Sequence, residues 1–553
     1  MLRLCSSLLA LAVLFSLEGI AFAQSFDLII RNGRVVDGSG NPWYIADVGI
    51  RNGRIAAVGD LADKGVQRVI DAQGRVVAPG FIDLMGGGDL PLILDPPSAE
   101  SKLRQGITTM MVGEGGSVAP QNERTMRGRE GGAGITWRTF AEYFQVVKEK
   151  GIALNVVHNV GAAQVRRAVL GDEDVTPTAE QLAEMRELVA QAMRDGAIGL
   201  SSALIYPPGS YAKTEELIEL AKVVARFGGI YFSHLRNESN GLLEAIDEII
   251  RAGKEAGLPV HIYHLKAAGQ TNWPLMPKAL QKIQAARDAG LDITADVYPY
   301  IRNGIGLGSF IHPRHYARGA QALLLTLSDP KVRNEIRREI EKTADWENWY
   351  LHVGKNWDNV LITSVGENTD PEFVGKSIKE VAGMRKVDAW QAFFDLVQAG
   401  RTSVAPKSMN EEQKHQAMRA PFVMFDCDAG PTNPATALSA HPRAFGTFPR
   451  ILAKYVREDK VVLLEDAIRK MTSLAANRLQ LWDRGRISPG MVADLVIFDP
   501  AKVQDTATFE KPLRQSLGMD YVLVSGQPVI DDGRMTGLRP GEILKAGASV
   551  SQP

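Results

Sequence analysis

Two short apolar runs, each followed by a histidine, flank a segment with helical periodicity near the middle of the chain. The runs are residues 229–233 and 259–263, and the histidines are His234 and His264. Between them, Leu242–Ala256 has its apolar side chains at the spacing of one helix face. This order predicts a β-α-β unit whose parallel strands both end in an imidazole. Two imidazoles placed in this way are typical of a zinc site, and the alternative is a pair of buried core histidines.

Apolar runs of strand length alternate with helical segments through the whole middle of the chain. Eight such runs are found, at residues 81–85, 108–112, 154–157, 197–201, 229–233, 259–264, 292–297 and 421–425. Eight strands alternating with helices predict an α/β fold, the (β/α)8 TIM barrel. The long polar interval before the last run, at about 310–419, predicts an insertion that forms a lid or subdomain over the barrel mouth.

Both ends of the chain have a different pattern, in which short β-type alternations are separated by turn residues. Near the start, Asn32-Gly33 and Asn52-Gly53 each predict a two-residue hairpin turn. The segments after about residue 490 return to the same alternation. We therefore predict a small β-sandwich domain formed from both chain ends, residues 24–80 and 480–547, beside a barrel at residues 81–479.

The first residues predict a secretory signal peptide at positions 1–23. Arg3 precedes an apolar run, and Ala21-Phe22-Ala23 forms a small-x-small cleavage site. The run is too short for a stable membrane span, and the alternative is an uncleaved anchor. This pattern predicts a periplasmic or secreted enzyme with no membrane span after signal removal. Because Cys5 lies in the signal, Cys427 is the one remaining cysteine and no intrachain disulfide is expected.

Charge narrows the range of partners. The chain has 63 basic and 64 acidic residues, so nothing in its balance favours nucleic acid or an anionic membrane. A small-molecule substrate is the expected partner, and the sequence does not predict an oligomeric state.

Several long motifs occur along the chain: APGFID, GLSSALIYPPGSYAKTEEL, SHLRNE, HLK, ADVYPY, HPRAFGTFPR and a C-terminal segment ending in ADLVIFDP. Together they resemble the amidohydrolase superfamily, and most closely its D-aminoacylase branch, the N-acyl-D-amino-acid deacylases. The resemblance covers roughly residues 26–545. It implies a metal-dependent barrel that hydrolyses the amide bond of N-acyl-D-amino acids or similar small N-acyl compounds.

The metal ligands implied by the resemblance depart from the superfamily pattern at one place. Where a His-x-His motif is expected after GFID, this chain has Met85 and Gly87. The resemblance therefore implies a one-metal version, with one zinc per chain held by His234, His264 and Glu114. Glu114 lies in VGEGG, where relatives have a cysteine; its alternative is a helix-capping or solvated loop acid. Two histidines and one glutamate form a standard catalytic zinc set.

The resemblance also implies roles for four further residues. Asp428 corresponds to the aspartate at the end of the eighth strand, which moves a proton from the attacking water to the leaving amine. Lys266, Tyr298 and Arg443 correspond to residues that hold the substrate carboxylate. An arginine fork suits a carboxylate well.

Two other functions remain open from the sequence. One is a different hydrolase on the same scaffold, such as a peptidase or a cyclic amidase. The other is a barrel that has lost catalysis together with His-x-His and only binds a ligand; the retained His234, His264 and Asp428 argue against it.

Overall fold

A central barrel of eight parallel strands organises the protein in the computed structural model, which describes residues 26–62, 64–126, 135–342 and 346–545. We number the barrel strands in chain order: β1 Phe81–Asp83, β2 Ile107–Val112, β3 Asn155–Gly161, β4 Gly199–Ala203, β5 Ile230–His234, β6 Val260–Ile262, β7 Ile293–Val297 and β8 Val423–Phe425. They pair side by side in this order. The predicted (β/α)8 barrel is therefore confirmed.

Helices follow the barrel strands and cover their outer face. They are Leu90–Leu94, Glu100–Leu103, Glu123–Met126, Phe140–Lys150, Ala162–Leu170, Ala179–Asp195, Thr214–Ala225, Leu242–Ala256, Met276–Asp288, Glu411–Arg419, Arg443–Arg450, Leu464–Met471 and Ser473–Arg478, with a π-helical segment at Ile451–Glu458. The helix between β5 and β6 has the bounds that its apolar periodicity predicts, and it ends where Gly257 adopts a left-handed conformation. Its buried face fixes how β5 and β6 lie against each other.

A buried ion pair between β1 and the helix Glu100–Leu103 contacts the chain that follows β8. Lys102 Nζ donates to Asp83 Oδ2 at 2.8 Å and to the Ala429 carbonyl at 2.6 Å. Asp83 also accepts the backbone N–H of Cys427 at 2.9 Å. Cys427 is a buried free thiol. These contacts fix the chain that follows β8.

Strands from both chain ends share one sheet outside the barrel, so the β domain formed by both ends is confirmed. The first end contributes Phe26–Val35, Tyr44–Arg51, Arg54–Gly59, Val66–Asp71 and Val76–Pro79; the second contributes Leu495–Phe498, Met519–Val524, Gln527–Asp531 and Arg534–Met535. The two ends meet where Val77 pairs with Ile497. The predicted domain limits themselves stay predictions.

The two Asn-Gly pairs of this domain differ. Asn52-Gly53 forms the predicted two-residue turn, with Arg51 paired to Arg54 across it. The hairpin predicted at Asn32-Gly33 is wrong, because these residues form a bulge inside the strand Phe26–Val35. Asn32 has the positive φ of 56° that its sequence suggests, but its amide binds Asp71 on a neighbouring strand, so the chain bulges and continues.

The insertion after β7 forms a unit with its own aromatic core. Its antiparallel sheet consists of Ile305–Gly306, Val360–Ser364 and Ser403–Pro406, and its helices are Ala320–Thr326, Pro330–Lys342, Trp349–His352, Ile378–Arg385 and Ala389–Ala399. Trp357, Trp390 and Phe393 pack together at its centre. The sequence placed this insertion at about 310–419. In the structure the helix Glu411–Arg419 contacts β7 and β8, so it belongs to the barrel wall.

The predicted signal peptide, residues 1–23, lies outside the described residues. Within the part of the chain that is described, no helix has the length and apolar character needed to cross a membrane.

Candidate active site

The fold brings His234 and His264 together at the carboxyl ends of β5 and β6. Ser233 pairs with Ile262 in the parallel register, so His234 ends its strand and His264 follows two residues after its own. The two imidazole centroids are 4.4 Å apart. His264 has a left-handed φ of 36°, and its backbone N–H donates to the carboxylate of Asp296 on β7. This unusual backbone turns its ring towards the barrel axis.

Glu114, in the loop after β2, contacts both histidines. Its Oε1 lies 2.8 Å from His234 Nδ1 and 3.4 Å from His264 Nε2. The glycines of VGEGG allow this approach: Gly115 has a φ of 63°, and a Cβ there would lie 2.7 Å from Ala203. Burial alone would raise the pKa of Glu114, but hydrogen bonds from the two imidazoles and their charge lower it. The carboxylate is therefore ionised at neutral pH.

These three side chains fit a zinc ion. One ligand atom from each of Glu114, His234 and His264 lies within 4.8 Å of the others. Two imidazole nitrogens and one carboxylate oxygen are the donors that catalytic zinc prefers, and the strand-end position leaves space for a further ligand. Their role as ligands stays a proposal.

The backbone explains why the His-x-His positions are not part of this group. Met85 is buried among Ile82, Leu84 and Met111 in the apolar core. Gly87 has a φ of 71°, and a Cβ there would lie 2.7 Å from the backbone nitrogen of Gly430. A histidine at position 87 would be strained and would clash with the loop after β8.

Two further carboxyl groups at the site were missed by the sequence reasoning. Glu238 Oε1 accepts from Lys266 Nζ at 2.6 Å and lies 3.0 Å from His264 Nδ1. Glu347, from the insertion, accepts the backbone N–H of Glu238 at 3.2 Å. Burial, and then the charge of Glu238, raise the pKa of Glu347 well above its usual value. Glu238 lies within the SHLRNE motif, whereas position 347 has no sequence signal of its own.

Asp428, three residues after the end of β8, forms an ion pair with Arg443. Arg443 Nη1 donates to Asp428 Oδ2 at 2.5 Å. Burial raises the pKa of the Asp428 carboxyl, and the Arg443 guanidinium limits that rise. Asp428 has a left-handed φ of 46°, and the contact of Lys102 with the next carbonyl supports this conformation.

The remaining predicted substrate residues lie on the same side of the site. Lys266 Nζ lies 2.5 Å from His264 Nδ1 and is buried. The Arg443 guanidinium lies over the Tyr298 ring, and its Cζ is 4.9 Å from the ring centroid. Within the described residues, the Tyr298 hydroxyl has no hydrogen-bond partner, so it is available to a ligand.

All seven predicted site residues are thus brought together. Six of them line one cavity of about 50 Å³, namely Glu114, His234, His264, Lys266, Tyr298 and Asp428, and Arg443 contacts the last of these. Tyr206 and Trp349 separate this cavity from a larger one of about 960 Å³, which the insertion lines with Ile311 and Trp346. The site can hold a compact polar group inside and a larger group outside.

A parallel eight-stranded barrel with two histidines and a carboxylate at its strand ends defines the class of metal-dependent hydrolases. Residues 68–530 match the model described as the amidohydrolase family. An N-acyl-D-glutamate deacylase of Alcaligenes xylosoxydans xylosoxydans is 34% identical over 533 residues, covering 96% of this chain and 98% of its own. A D-aminoacylase of the same organism is 34% identical over 533 residues, covering 95% and 99%.

Solved structures agree with these relatives. A crystal structure of a D-aminoacylase superposes with a TM-score of 0.79 at 32% identity, covering 94% of this chain and 100% of that one. An N-acyl-D-glutamate deacylase from Bordetella bronchiseptica, complexed with zinc and a phosphonate inhibitor, gives 0.80 at 30% identity, with 95% and 100% covered. The chain belongs to the amidohydrolase family, in its D-aminoacylase branch, and is a hydrolase of carbon–nitrogen bonds other than peptide bonds.

Proposed function

We propose that this protein is an exported N-acyl-D-amino-acid deacylase with one zinc ion, which cleaves the amide bond of a small N-acyl-D-amino acid. The observation that carries the proposal is that Glu114, His234 and His264 meet around one point. Asp428 and two of the residues proposed to hold the substrate carboxylate, Lys266 and Tyr298, line the same cavity. Export is supported by the N-terminal sequence pattern alone.

The proposed centre divides the chemistry among residues of this chain. Glu114, His234 and His264 would hold the zinc ion, which supplies Lewis-acid polarisation of the amide carbonyl and makes water a better nucleophile. Asp428 takes a proton from the attacking water and gives it to the amine nitrogen as the carbon–nitrogen bond breaks. The products are a carboxylic acid and a free amino acid, so atoms and charge balance.

The substrate carboxylate is expected beside Tyr298 and Arg443. The Arg443 guanidinium contacts Asp428 and lies over the Tyr298 ring, and the nearby Lys266 adds a second cation. A bound carboxylate would take over part of the hydrogen bonding that Arg443 now gives to Asp428. This arrangement favours anionic substrates over neutral amides.

One zinc, rather than two, is supported by the ligand chemistry. Met85 and Gly87 offer no useful zinc donor, and the backbone at position 87 does not accommodate a histidine. A solved D-aminoacylase structure is described in terms of one-metal activation and second-metal attenuation. That description supports an active enzyme with a single metal.

Metal analysis together with a substrate series tests the proposal. We expect about one zinc per chain in the purified protein, and hydrolysis of N-acetyl-D-amino acids but not of the L-forms. His234→Ala and His264→Ala should each lose the metal and the activity. Two tightly held metals would contradict the one-zinc model, and zinc-loaded protein without turnover would favour a ligand-binding barrel. N-terminal sequencing of protein from its native host tests export: we expect the chain to begin at Gln24.

A further inference from the structure

Glu238 lies behind both histidines, on the side away from Glu114. Its two carboxylate oxygens face different rings: Oε1 is 3.0 Å from His264 Nδ1, and Oε2 is 3.4 Å from His234 Nε2. The other nitrogen of each ring faces Glu114. Each imidazole is therefore held between an inner carboxylate, Glu114, and an outer one, Glu238.

We propose that Glu238 is a positioning residue that sets the tautomers of both histidines. It accepts a hydrogen bond from one N–H group of each ring, Nε2–H of His234 and Nδ1–H of His264. The lone pairs of His234 Nδ1 and His264 Nε2 are then both directed towards Glu114, where zinc is proposed to bind. The inference rests on the zinc site of the proposed function.

The hydrogen-bonding capacity of a carboxylate makes this double role possible. A metal-binding histidine usually donates its other N–H to a carboxylate or a carbonyl, which fixes the orientation of the ring. An ionised carboxylate has two oxygens with about four acceptor positions, so Glu238 can serve both rings and Lys266. Within the described residues, His234 Nε2 and Glu238 Oε2 have no hydrogen-bond partner. Because they lie 3.4 Å apart, a small approach gives each atom its partner.

The ammonium of Lys266 keeps Glu238 in this role. Glu238 is 1% exposed, and a buried carboxylate is stable only when its charge is compensated. Lys266 Nζ supplies that compensation at 2.6 Å from Oε1. The ammonium also lies 2.5 Å from His264 Nδ1, so the proposed tautomer requires it to move away from the ring while it keeps its contact with Oε1. The backbone N–H of Glu238 donates to Glu347, so the insertion also supports the segment that carries Glu238.

A competing interpretation of the same atoms is a second cation site. Ligand atoms of His234, Glu238 and Glu347 also lie within 4.8 Å of one another. The Lys266 ammonium already lies against Glu238, and a cation there would meet its charge directly. We therefore favour the positioning role, and the two interpretations differ in what Glu347 does.

Zinc affinity of the full-length protein tests the inference, with a chromophoric chelator as the competitor. Glu238→Gln keeps the shape but offers one acceptor oxygen and an NH2 group, so it cannot accept from both rings. We expect about 10–100-fold weaker zinc binding. The visible spectrum of the cobalt-substituted protein should change as well, because the ligand geometry changes. Glu347→Gln, the matched control, should retain the wild-type zinc affinity and cobalt spectrum.

The outcomes separate this inference from the proposed function. Wild-type zinc affinity and cobalt spectrum in folded Glu238→Gln would overturn the positioning role alone, and so would a lower metal content in Glu347→Gln. A wild-type protein that binds no zinc would overturn both. If Glu238→Gln does not fold, nitrogen NMR of ¹⁵N-histidine-labelled, zinc-loaded wild-type protein decides. Protons on His234 Nε2 and His264 Nδ1 support the inference, and the opposite tautomers contradict it.

Discussion

At the scale of single residues, the arrangement of Asp428 is the feature with the most direct chemical consequence. It lines the same cavity as the proposed zinc ligands, and its carboxylate is paired with Arg443. Burial makes this carboxyl a weaker acid than usual, and therefore a better proton acceptor once it is ionised.

The first prediction is that Asp428→Asn keeps zinc but loses turnover. The amide retains the shape and can still accept from Arg443, but it cannot take a proton. We expect kcat to fall by about 10²–10⁴-fold. Steady-state kinetics and elemental analysis on the same preparation measure both quantities. Full activity in the zinc-loaded variant would remove Asp428 from the mechanism.

The second prediction concerns the buried amine of Lys414, which lies 4.3 Å from the Tyr298 ring centroid. Within the described residues its Nζ has no hydrogen-bond partner, and burial, followed by the charge of Lys266, lowers its pKa to about 7. The unfolded chain then binds the proton more tightly than the folded protein does, and this difference lowers the free energy of unfolding. The loss is complete below pH 7 and disappears towards pH 10. Lys414→Met should stabilise the protein by about 2–4 kcal/mol at pH 6.

Thermal unfolding at pH 6 and at pH 9.5 measures this effect. The gain in Tm should be larger at pH 6, because at that pH the folded protein has to carry Lys414 as a buried ammonium. At pH 9.5 the amine of the folded protein is already neutral. Lys278→Met is the matched control, since Lys278 is exposed and its removal should shift Tm little at either pH. An equal gain at both pH values would show that the charge of Lys414 is not the cause.

The candidate site was largely predictable because its residues occur at strand ends within motifs. Strand parity places His234 on the same face of β5 as Phe232, but it does not identify His264. His261 and Tyr263 are the β6 residues that pack on Phe232, and His264 joins the site through its left-handed backbone. The outer carboxyls were harder to predict. Glu238 follows His234 by four residues without a strand or helix to define its direction. Glu347 comes from an insertion whose path depends on packing over distant sequence.

At the scale of secondary structure elements, the junction between β1 and β8 depends on the buried pair Asp83–Lys102. Both side chains are 0% exposed, and Asp83 accepts from the backbone N–H of Cys427, just after β8, as well as from Lys102. The buried Asp83 carboxylate needs the Lys102 ammonium, because water cannot reach the site to compensate the charge.

The third prediction is that Lys102→Met destabilises the protein by about 3–5 kcal/mol, since it leaves the Asp83 carboxylate buried without compensation. Denaturant unfolding monitored by circular dichroism measures this loss. Adding Asp83→Asn should restore much of it, because the amide oxygen can still accept the N–H of Cys427. A double variant as unstable as the single one would mean that packing around Lys102, not charge, is responsible.

The elements themselves followed their sequence patterns unevenly. The helix Leu242–Ala256 was predicted with its observed bounds because its apolar face repeats over four turns. The turn at Asn32-Gly33 was not, since a positive φ suits a bulge as well as a hairpin. Local residues define the backbone conformation there, but the partner strand determines whether the chain reverses.

At the scale of the whole molecule, the fold does not depend on a metal for its core. The barrel interior, the insertion and the terminal sheet each have a buried apolar cluster of their own. The zinc ligands lie at one end of the barrel, outside these clusters.

The fourth prediction follows from this separation. Removal of zinc by a chelator should abolish activity and leave the far-ultraviolet circular dichroism spectrum unchanged. Stability should fall only by the free energy of binding, about 2.7 kcal/mol for zinc present at 100 times its Kd. A differential scanning calorimetry trace with and without added zinc measures the change. Loss of the folded spectrum on chelation would show that the metal is structural.

The shared terminal sheet also has a consequence for the order in which the protein is made. The buried strand Val76–Pro79 pairs on one side with Phe26–Val35 and on the other with Leu495–Phe498. At roughly 5–20 residues per second, the ribosome would deliver its second partner about 25–90 s after the first. We expect chains stalled before residue 495 to be cleaved readily within residues 26–80 by a protease, unlike released chains. An early protease-resistant core would contradict this. Until the last strands are synthesised, the strand Val76–Pro79 therefore has one apolar edge without its partner strand.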